Sequence, residues 1–333
     1  MNTMRAMVAD RFGGPEVFEL REVPVPGVPP GHVLIRVRAS SVNPIDTKIR
    51  KGMLSALAPD PMILGCDVAG EVAQAGKGAG LKEGDRVIAC GGGVKGYPGA
   101  LAEYMAVDAS VCAPAPEGLP WETAASLPLV GITADEGLCR AHVRTGQRVL
   151  VHAGTGGVGQ MALQLAKQRG AEVWVTVSTP EKAETARRLG ADGVIFYRDQ
   201  AVPDYVREVT SGEGFDVVFD TVGGDNVAKC FEAVAVSGTV VSISTRTTAD
   251  LSPLHAKGIS LHVVFMIIPL LYNKPPERAA QGRALSRISH LAETVRITPL
   301  LHKQVFPFEQ AGAAHELLES GQALGKVTLT GFA

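Results

Sequence analysis

The order of apolar and polar residues changes part-way along this chain of 333 residues. Up to about residue 120, short alternating stretches such as residues 32–38 are separated by Gly and Pro, which predicts short strands joined by turns. From about residue 125, predicted strands alternate with helices, a pattern typical of a parallel sheet with helices on both faces. We therefore expect a barrel-like β domain first and a doubly wound α/β domain second.

The second half shows the more regular pattern. Strands are predicted at residues 148–152, 172–177, 194–196, 215–220, 238–243 and 259–265. Helices are predicted at residues 157–169, 180–189, 202–210 and 226–235. The tail is predicted to be helical at 276–294 and 309–320, to end in a strand at 326–329 and to fold back onto the first domain. The predicted domains are 1–124, completed by 270–333, and 125–269.

The segment 146–167 carries the strongest chemical signal. A short apolar run is followed by a glycine-rich turn and then by a helix with Val158, Met161 and Leu165 on one face. A strand, a glycine turn and a helix N-terminus together hold a dinucleotide pyrophosphate, because the backbone can approach the phosphates and free N–H groups point at them. The residues expected to contact the cofactor here are Ala153, Gly154, Thr155, Gly156, Gly157, Val158 and Gly159.

Composition narrows the class of protein. The net charge is −2 and no long block of like charge occurs, so neither nucleic acid nor an anionic membrane is an expected partner. The longest apolar stretch, residues 261–272, contains His262 and Pro269 and is predicted to form a strand and a loop. Five scattered cysteines include no C-x-x-C pair. With no export signal at the N-terminus, a soluble cytoplasmic protein is expected.

Several further motifs occur in a characteristic order, at residues 41–50, 64–72, 84–87, 99–104, 131–134 and 215–224. With the glycine turn, they resemble the medium-chain dehydrogenase/reductase superfamily along nearly the whole chain. The zinc-independent quinone oxidoreductase branch, the zeta-crystallin-like enzymes, is the most similar. The resemblance implies an α/β protein with a GroES-like β-barrel catalytic domain, a Rossmann domain and a nicotinamide held in the cleft between them.

The resemblance also bears on zinc. Zinc-dependent relatives bind catalytic zinc through Cys, His and Cys, and the matching positions here are Asn43, Cys66 and Val130. A catalytic zinc needs three protein ligands and an open position. Only Cys66 could serve, with Asp67 as a helper, and Cys66 is also typical of a small buried apolar residue. We expect no metal.

The nicotinamide cofactor is expected to be NADPH. NAD enzymes place an acidic residue after the second strand, and here that position is Ser178. By resemblance, Ser178, Lys182 and Tyr197 bind the 2′-phosphate. Ser178 also begins a sequence typical of a helix capping box that ends at Glu181, and Lys182 could instead be a surface charge.

The remaining site residues follow from the resemblance. Asn43 and Thr133 are expected at the nicotinamide end, although Asn43 also suits a turn before Pro44. The residues expected to flank the same crevice are Thr221, Val222, Ser242 and Ser244, and loop polarity alone would also explain the two serines.

The catalytic candidates are Asn43 and Lys48, with Lys48 as an oxyanion stabiliser or a surface charge. Tyr97 and Tyr104 are weaker candidates for a proton donor, and His152 is predicted to be a satisfied core residue.

These observations predict a zinc-independent, NADPH-dependent reductase of quinones or α,β-unsaturated carbonyls. A 2-enoyl thioester reductase is one alternative. The other is a non-catalytic NADPH-binding protein, since relatives include lens crystallins and RNA-binding proteins. A homodimer is expected through the apolar strand at 258–265, because an unprotected sheet edge of this kind needs to be paired or covered.

Overall fold

The computed structural model describes residues 3–332 and divides the chain into two compact units. The first comprises the residues up to Leu129, Ile267–Val295 and the residues from Leu301 onward, and the second comprises Val130–Met266 and Arg296–Leu300. The domain boundaries expected from the sequence were 124 and 269. The short return to the second unit was not predicted, and the Gln164 side chain explains it by bonding to both the N–H and the carbonyl of Thr298, at 2.6 and 3.1 Å.

The regular structure in the N-terminal part of the first unit consists mainly of strands, as the alternating pattern predicted. Its strands are β1 (Thr3–Ala9), β2 (Phe18–Pro24), β3 (His32–Ser41), β4 (Asp67–Ala75), β5 (Arg86–Cys90), β6 (Tyr104–Asp108) and β7 (Ala113–Pro114). Its helices are α1 (Pro44–Arg50), α2 (Trp121–Ala125) and the start of α3 (Pro128–Arg140).

The second unit contains the alternating strands and helices. Its strands are β8 (Arg148–Val151), β9 (Glu172–Val177), β10 (Gly193–Phe196), β11 (Phe215–Asp220), β12 (Val234–Ser242) and β13 (Ser260–Val263). Its helices, after α3, are α4 (Gly157–Gln168), α5 (Pro180–Arg188), α6 (Val202–Thr210), α7 (Asn226–Ala233) and α8 (Ser252–Lys257). The early start of β12 and the whole of α8 were not expected.

The C-terminal part returns to the first unit. It contains α9 (Ile268–Leu271), α10 (Pro275–Glu293), β14 (Leu301–Pro307), α11 (Ala311–Glu319) and β15 (Lys326–Thr330). The predicted loop after β13 is therefore interrupted by a short helix. Strand β15 pairs antiparallel with β3, Thr328 lying opposite Ser41, so the tail completes the sheet of the first unit.

The two main sheets differ in strand direction. In the second unit the order is β10-β9-β8-β11-β12-β13, and every neighbouring pair is parallel. In the first unit the order is β14-β15-β3-β4-β5-β7, with β6 paired to β3, and only β14 and β15 run parallel. The fully buried run Val149–Val151 at the centre of the parallel sheet shows why this strand lacks polar alternation. The α/β fold class is confirmed.

The carboxyl ends of parallel strands meet at one edge of a sheet, where ligands bind in open α/β folds. The glycine turn, Ser178, Tyr197 and Thr221 directly follow the ends of β8, β9, β10 and β11. Among residues 3–332, no helix combines the length and the apolar character needed to cross a membrane.

Candidate functional site

The glycine turn is tied to the end of the neighbouring strand β9. The N–H of Ala153 donates to Thr176 Oγ1 at 3.0 Å, and the N–H of Gly154 donates to the Thr176 carbonyl at 3.2 Å. Ala153 adopts a left-handed conformation with φ of 52°, and the N–H of Gly156 returns to its carbonyl at 2.9 Å. These bonds hold the turn against the end of β9.

Two glycines of this turn are required by close packing. A Cβ on Gly154 would lie 2.4 Å from Val175 Cβ, and one on Gly159 would lie 2.2 Å from the carbonyl oxygen of Ala153. Helix α4 begins at Gly157, and no side chain caps it at Gly156. Its first N–H groups therefore have no side-chain acceptor within residues 3–332, which is the arrangement that suits a phosphate. Thr155 is buried, whereas Val158 is partly exposed.

Two residues of the predicted phosphate-binding trio lie at the ends of β9 and β10, and the third, Lys182, lies in the first turn of α5. Val177 pairs with Phe196, so Ser178 and Tyr197 follow directly on neighbouring strands. The Tyr197 ring is 47 % exposed, and the Arg198 guanidinium carbon lies 5.8 Å from its centre. Neither Lys182 nor Arg198 has a carboxylate partner among residues 3–332. Sequence reasoning did not single out Arg198, although it directly follows the tyrosine.

The capping residue of α5 differs from the prediction. Thr179, not Ser178, is the N-cap: its Oγ1 accepts the N–H of Lys182 at 3.3 Å, and Pro180 occupies the first helical position. A capping box from Ser178 to Glu181 would start the helix at Thr179. Thr179 is instead still extended, with φ of −144° and ψ of 155°, so the helix starts one residue later. Ser178 is therefore not needed for capping, and its hydroxyl is left for another partner.

The ends of β11 and β12 are organised by Asp220, which sequence reasoning missed. Its buried carboxylate accepts the N–H groups of Val222 and Gly223, each at 3.0 Å, and the hydroxyl of Ser242 at 2.8 Å. The hydroxyl of Thr221 donates to the His152 carbonyl at 2.7 Å. The hydroxyls of Thr221 and Ser242 thus hold the loops. The N–H of the predicted Ser244 lies 3.4 Å from Ser242 Oγ.

His152 is buried, as predicted, but only one side of its ring is satisfied. Nδ1 lies 3.3 Å from Thr176 Oγ1, while Nε2 has no partner in the described part of the chain. Burial lowers the pKa of His152 to about 4, an effect that Asp220 opposes and Lys229 strengthens. The ring is neutral at neutral pH, so it is not a proton donor at rest.

In the first unit, Asn43 belongs to a buried polar cluster at the start of α1, which we call the Asn43 cluster and define as Ser41, Asn43, Asp67 and Lys326. Asn43 Nδ2 donates to Asp67 Oδ2 at 2.8 Å, and Asn43 Oδ1 accepts from Lys326 Nζ at 2.6 Å. The hydroxyl of Ser41 donates to the same carboxylate oxygen at 2.5 Å. Asn43 is the N-cap of α1 and directly precedes Pro44. It therefore occupies the turn position before Pro44 that the sequence also suggested.

Asp46 and Cys66 lie beside this cluster. Asp46 accepts the N–H of Asn43 at 2.8 Å and the Cys66 thiol at 3.4 Å. Burial raises the pKa of Asp46 to about 6, opposed by the Asn43 N–H and by the charge of Lys326. Burial also raises the pKa of the Cys66 thiol. Cys66 is a fully buried thiol, as predicted.

The side chains at the three zinc-ligand positions do not fit a catalytic zinc. Asn43 and Val130 replace two ligands, and the Cys66 thiol donates to a carboxylate. Both carboxylate oxygens of Asp67 already accept hydrogen bonds. Oδ2 accepts from Asn43, and Oδ1 accepts the N–H of Leu129 at 2.7 Å. Within residues 3–332, no group of three or more His, Cys, Asp or Glu side chains is arranged to hold a metal ion.

The other predicted residues lie as follows. Lys48 is half-buried in the last turn of α1, and Thr133 is buried in α3. Asn43 and Lys48 belong to the first unit, whereas Thr133, the glycine turn and the phosphate-binding trio belong to the second. Tyr97 is half-buried, and Tyr104 lines an apolar cavity of about 280 Å³ within the first unit, which neither Asn43 nor Lys48 lines.

Comparisons with known proteins place this geometry in a family. The family model described as "Alcohol dehydrogenase GroES-like domain" matches residues 29–117, and that described as "Zinc-binding dehydrogenase" matches residues 157–274. An Arabidopsis thaliana protein named NADPH-dependent alkenal/one oxidoreductase, chloroplastic, is 34 % identical over 98 % of this chain and 79 % of its own length. The chain belongs to the medium-chain dehydrogenase/reductase superfamily.

Within this superfamily the chain is an oxidoreductase of the quinone oxidoreductase branch. The human quinone oxidoreductase is 31 % identical over 98 % of this chain and 97 % of its own length. An alcohol dehydrogenase superfamily protein from Novosphingobium aromaticivorans, known from its crystal structure, superposes with a TM-score of 0.93 at 39 % identity, covering 98 % of this chain and 99 % of that one. The predicted superfamily and branch are confirmed.

Proposed function

We propose that this medium-chain dehydrogenase/reductase uses NADPH, without zinc, to reduce quinones or α,β-unsaturated carbonyls. A pyridine-nucleotide cofactor is supported by the glycine turn and by the relative named as NADPH-dependent. The observation that carries the proposal is the edge formed by Ser178, Lys182 and Tyr197. It offers hydroxyl and ammonium donors where an acidic residue would repel a 2′-phosphate.

In this proposal, three parts of the second unit hold the cofactor. The N-terminus of α4 would take the pyrophosphate, the trio would take the 2′-phosphate, and the loops organised by Asp220 would flank the crevice. When bound, NADPH supplies a hydride to an electrophilic carbon. The chain then has only to position the substrate and to let water or a side chain protonate the resulting anion.

Zinc independence is supported by the side chains at the three zinc-ligand positions, Asn43, Cys66 and Val130. Alcohol oxidation in zinc enzymes relies on the metal to lower the pKa of the bound hydroxyl. An enone or quinone needs no such activation, because its acceptor carbon is already electrophilic. The Arabidopsis and human relatives, by their names, act on alkenals or enones and on quinones, which supports this substrate class.

With NADPH, the purified protein is expected to reduce members of a panel of small quinones and simple enones, and to oxidise simple alcohols with NADP⁺ far more slowly. Initial rates would be followed at the NADPH absorbance band, with and without prior chelation. The panel would include an enoyl thioester, since a preference for it would favour the thioester reductase alternative. Loss of activity on chelation would refute zinc independence. Normal NADPH binding with no turnover on any acceptor would favour the non-catalytic alternative.

Lys182→Ala is expected to raise the dissociation constant for NADPH about tenfold or more and to leave that for NADH unchanged. The ammonium pairs with a 2′-phosphate that NADH lacks, and hydrogen bonds to charged groups contribute about 1.5–3 kcal/mol. Isothermal titration calorimetry with both nucleotides measures the change. Arg187→Ala, an exposed cation in the last turn of the same helix, is the control and should alter neither constant. Equal weakening of both nucleotides would contradict a role in phosphate recognition.

We also propose that the homodimer forms through β13. This strand lies at the end of the parallel sheet, and Val263 and Phe265 are exposed there at 45 % and 40 %. An apolar edge of this kind favours pairing with an identical edge across a two-fold axis.

A further inference from the structure

Lys326, the first residue of β15, is buried at 3 % exposure. Its ammonium carries three N–H donors, and three oxygens lie close to it: the Val42 carbonyl at 2.9 Å, Asn43 Oδ1 at 2.6 Å and Asp67 Oδ2 at 3.4 Å. An apolar residue could fill this space in the strand without the cost of removing a charge from water. The lysine therefore needs an explanation beyond packing.

The contacts of Lys326 determine how the Asn43 carboxamide is oriented. An ammonium can only donate and a carboxylate can only accept. Asn43 Oδ1 must therefore face Lys326 while Nδ2 faces Asp67, as observed at 2.6 and 2.8 Å. A flipped amide would bring donor against donor and acceptor against acceptor. The bond to Val42 also holds the backbone just before α1, the helix that carries Lys48.

We infer that Lys326 is a positioning residue of the reductase: its buried charge orients Asn43 and anchors the start of α1. This role rests on the proposed function, in which Asn43 and Lys48 are the catalytic candidates. Lys326 acts only through the groups it holds. Because small displacements of reacting groups can lower rates about 100-fold, loss of this anchor should reduce turnover more than it reduces cofactor binding.

A pair of variants separates positioning from stability. K326M leaves Asp67 buried without its counter-charge, so it should unfold at a lower temperature than the wild type. K326M/D67N removes both charges and should recover most of that loss. In the double variant the amide of residue 67 can donate to Asn43 Oδ1, which allows Asn43 to flip. We expect kcat for the best panel substrate to stay at least tenfold below that of the wild type, with the dissociation constant for NADPH nearly unchanged.

A third substitution tests whether the effect passes through Asn43. N43A should lower kcat in the wild type but cause little further loss in K326M/D67N, because coupled residues are not additive. The proposal is overturned if K326M/D67N regains wild-type kcat, or if N43A lowers kcat equally in both backgrounds. Absence of NADPH-dependent turnover in the wild type would defeat the proposed function itself, and this role with it.

Discussion

Gly159→Ala is expected to destabilise the second unit by about 3 kcal/mol or more, whereas Gly156→Ala should leave its stability nearly unchanged. A Cβ on Gly159 would lie 2.2 Å from the Ala153 carbonyl oxygen, and no flexible side chain can yield there. Overpacking costs typically about 1–3 kcal/mol, and more where backbone must move. A Cβ on Gly156 would meet the same oxygen at 3.3 Å, which a small adjustment relieves.

The two variants should differ in cofactor binding as well. Gly156 lies where the turn meets α4, and the middle glycine of this motif lets the backbone approach the pyrophosphate. Gly156→Ala should therefore bind NADPH more weakly, about tenfold or more, while unfolding at nearly the wild-type temperature. Thermal denaturation followed by calorimetric titration measures both effects. Full stability of Gly159→Ala would show that the turn is looser than the structure has it.

Asp46→Asn is expected to change how stability depends on pH. Burial raises the pKa of Asp46 from 3.8 to about 6, so between these values the native carboxyl keeps a proton that the unfolded chain has lost. The native state then binds more protons, and its stability falls as pH rises through this window. Asparagine does not ionise, so the variant lacks this loss, which is on the order of 3 kcal/mol for a shift of this size.

Urea denaturation at intervals from pH 4 to pH 7 would measure this difference. His152 and His315 act in the opposite direction, because burial lowers their pKa values to about 4 and about 3, so their contribution weakens as pH falls. Both proteins share that behaviour, and subtracting one curve from the other isolates Asp46. Parallel curves for the wild type and Asp46→Asn would mean that Asp46 ionises normally in the folded protein.

Local patterns were enough to predict much of the second unit. Strands β8, β9 and β11 and helices α4, α5 and α6 lie within a residue of the predicted positions, because each combines a clear apolar period with a nearby glycine or proline. Errors occurred where two local signals competed. Ser178 and Thr179 are both good capping residues, and only the extended backbone of Thr179 decides between them.

Contacts between distant segments could not be predicted in this way. Nothing in residues 41–67 indicates that the Asp67 carboxylate is paired with Lys326 of β15. One weak signal was present in the sequence. Lys326 is the first residue of β15, and a charged residue in that position is normally interpreted as the solvent-exposed end of a strand. The role of Asp220 was not predicted either. An acidic residue at the end of a buried strand often accepts hydrogen bonds from the N–H groups of the following loop, as Asp220 does.

The discontinuous first unit has a consequence for synthesis on the ribosome. Strands β3 and β4 emerge early, but β15 and the ammonium that faces Asp67 come from the far end of the chain. Most of the second unit is contiguous, from Val130 to Met266, so it can fold while the rest is still being translated. Until β15 has been synthesised, β3 lacks its pairing with β15 and Asp67 lacks its cation. For that interval the nascent first unit exposes an open strand edge, the feature that chaperones commonly have to protect.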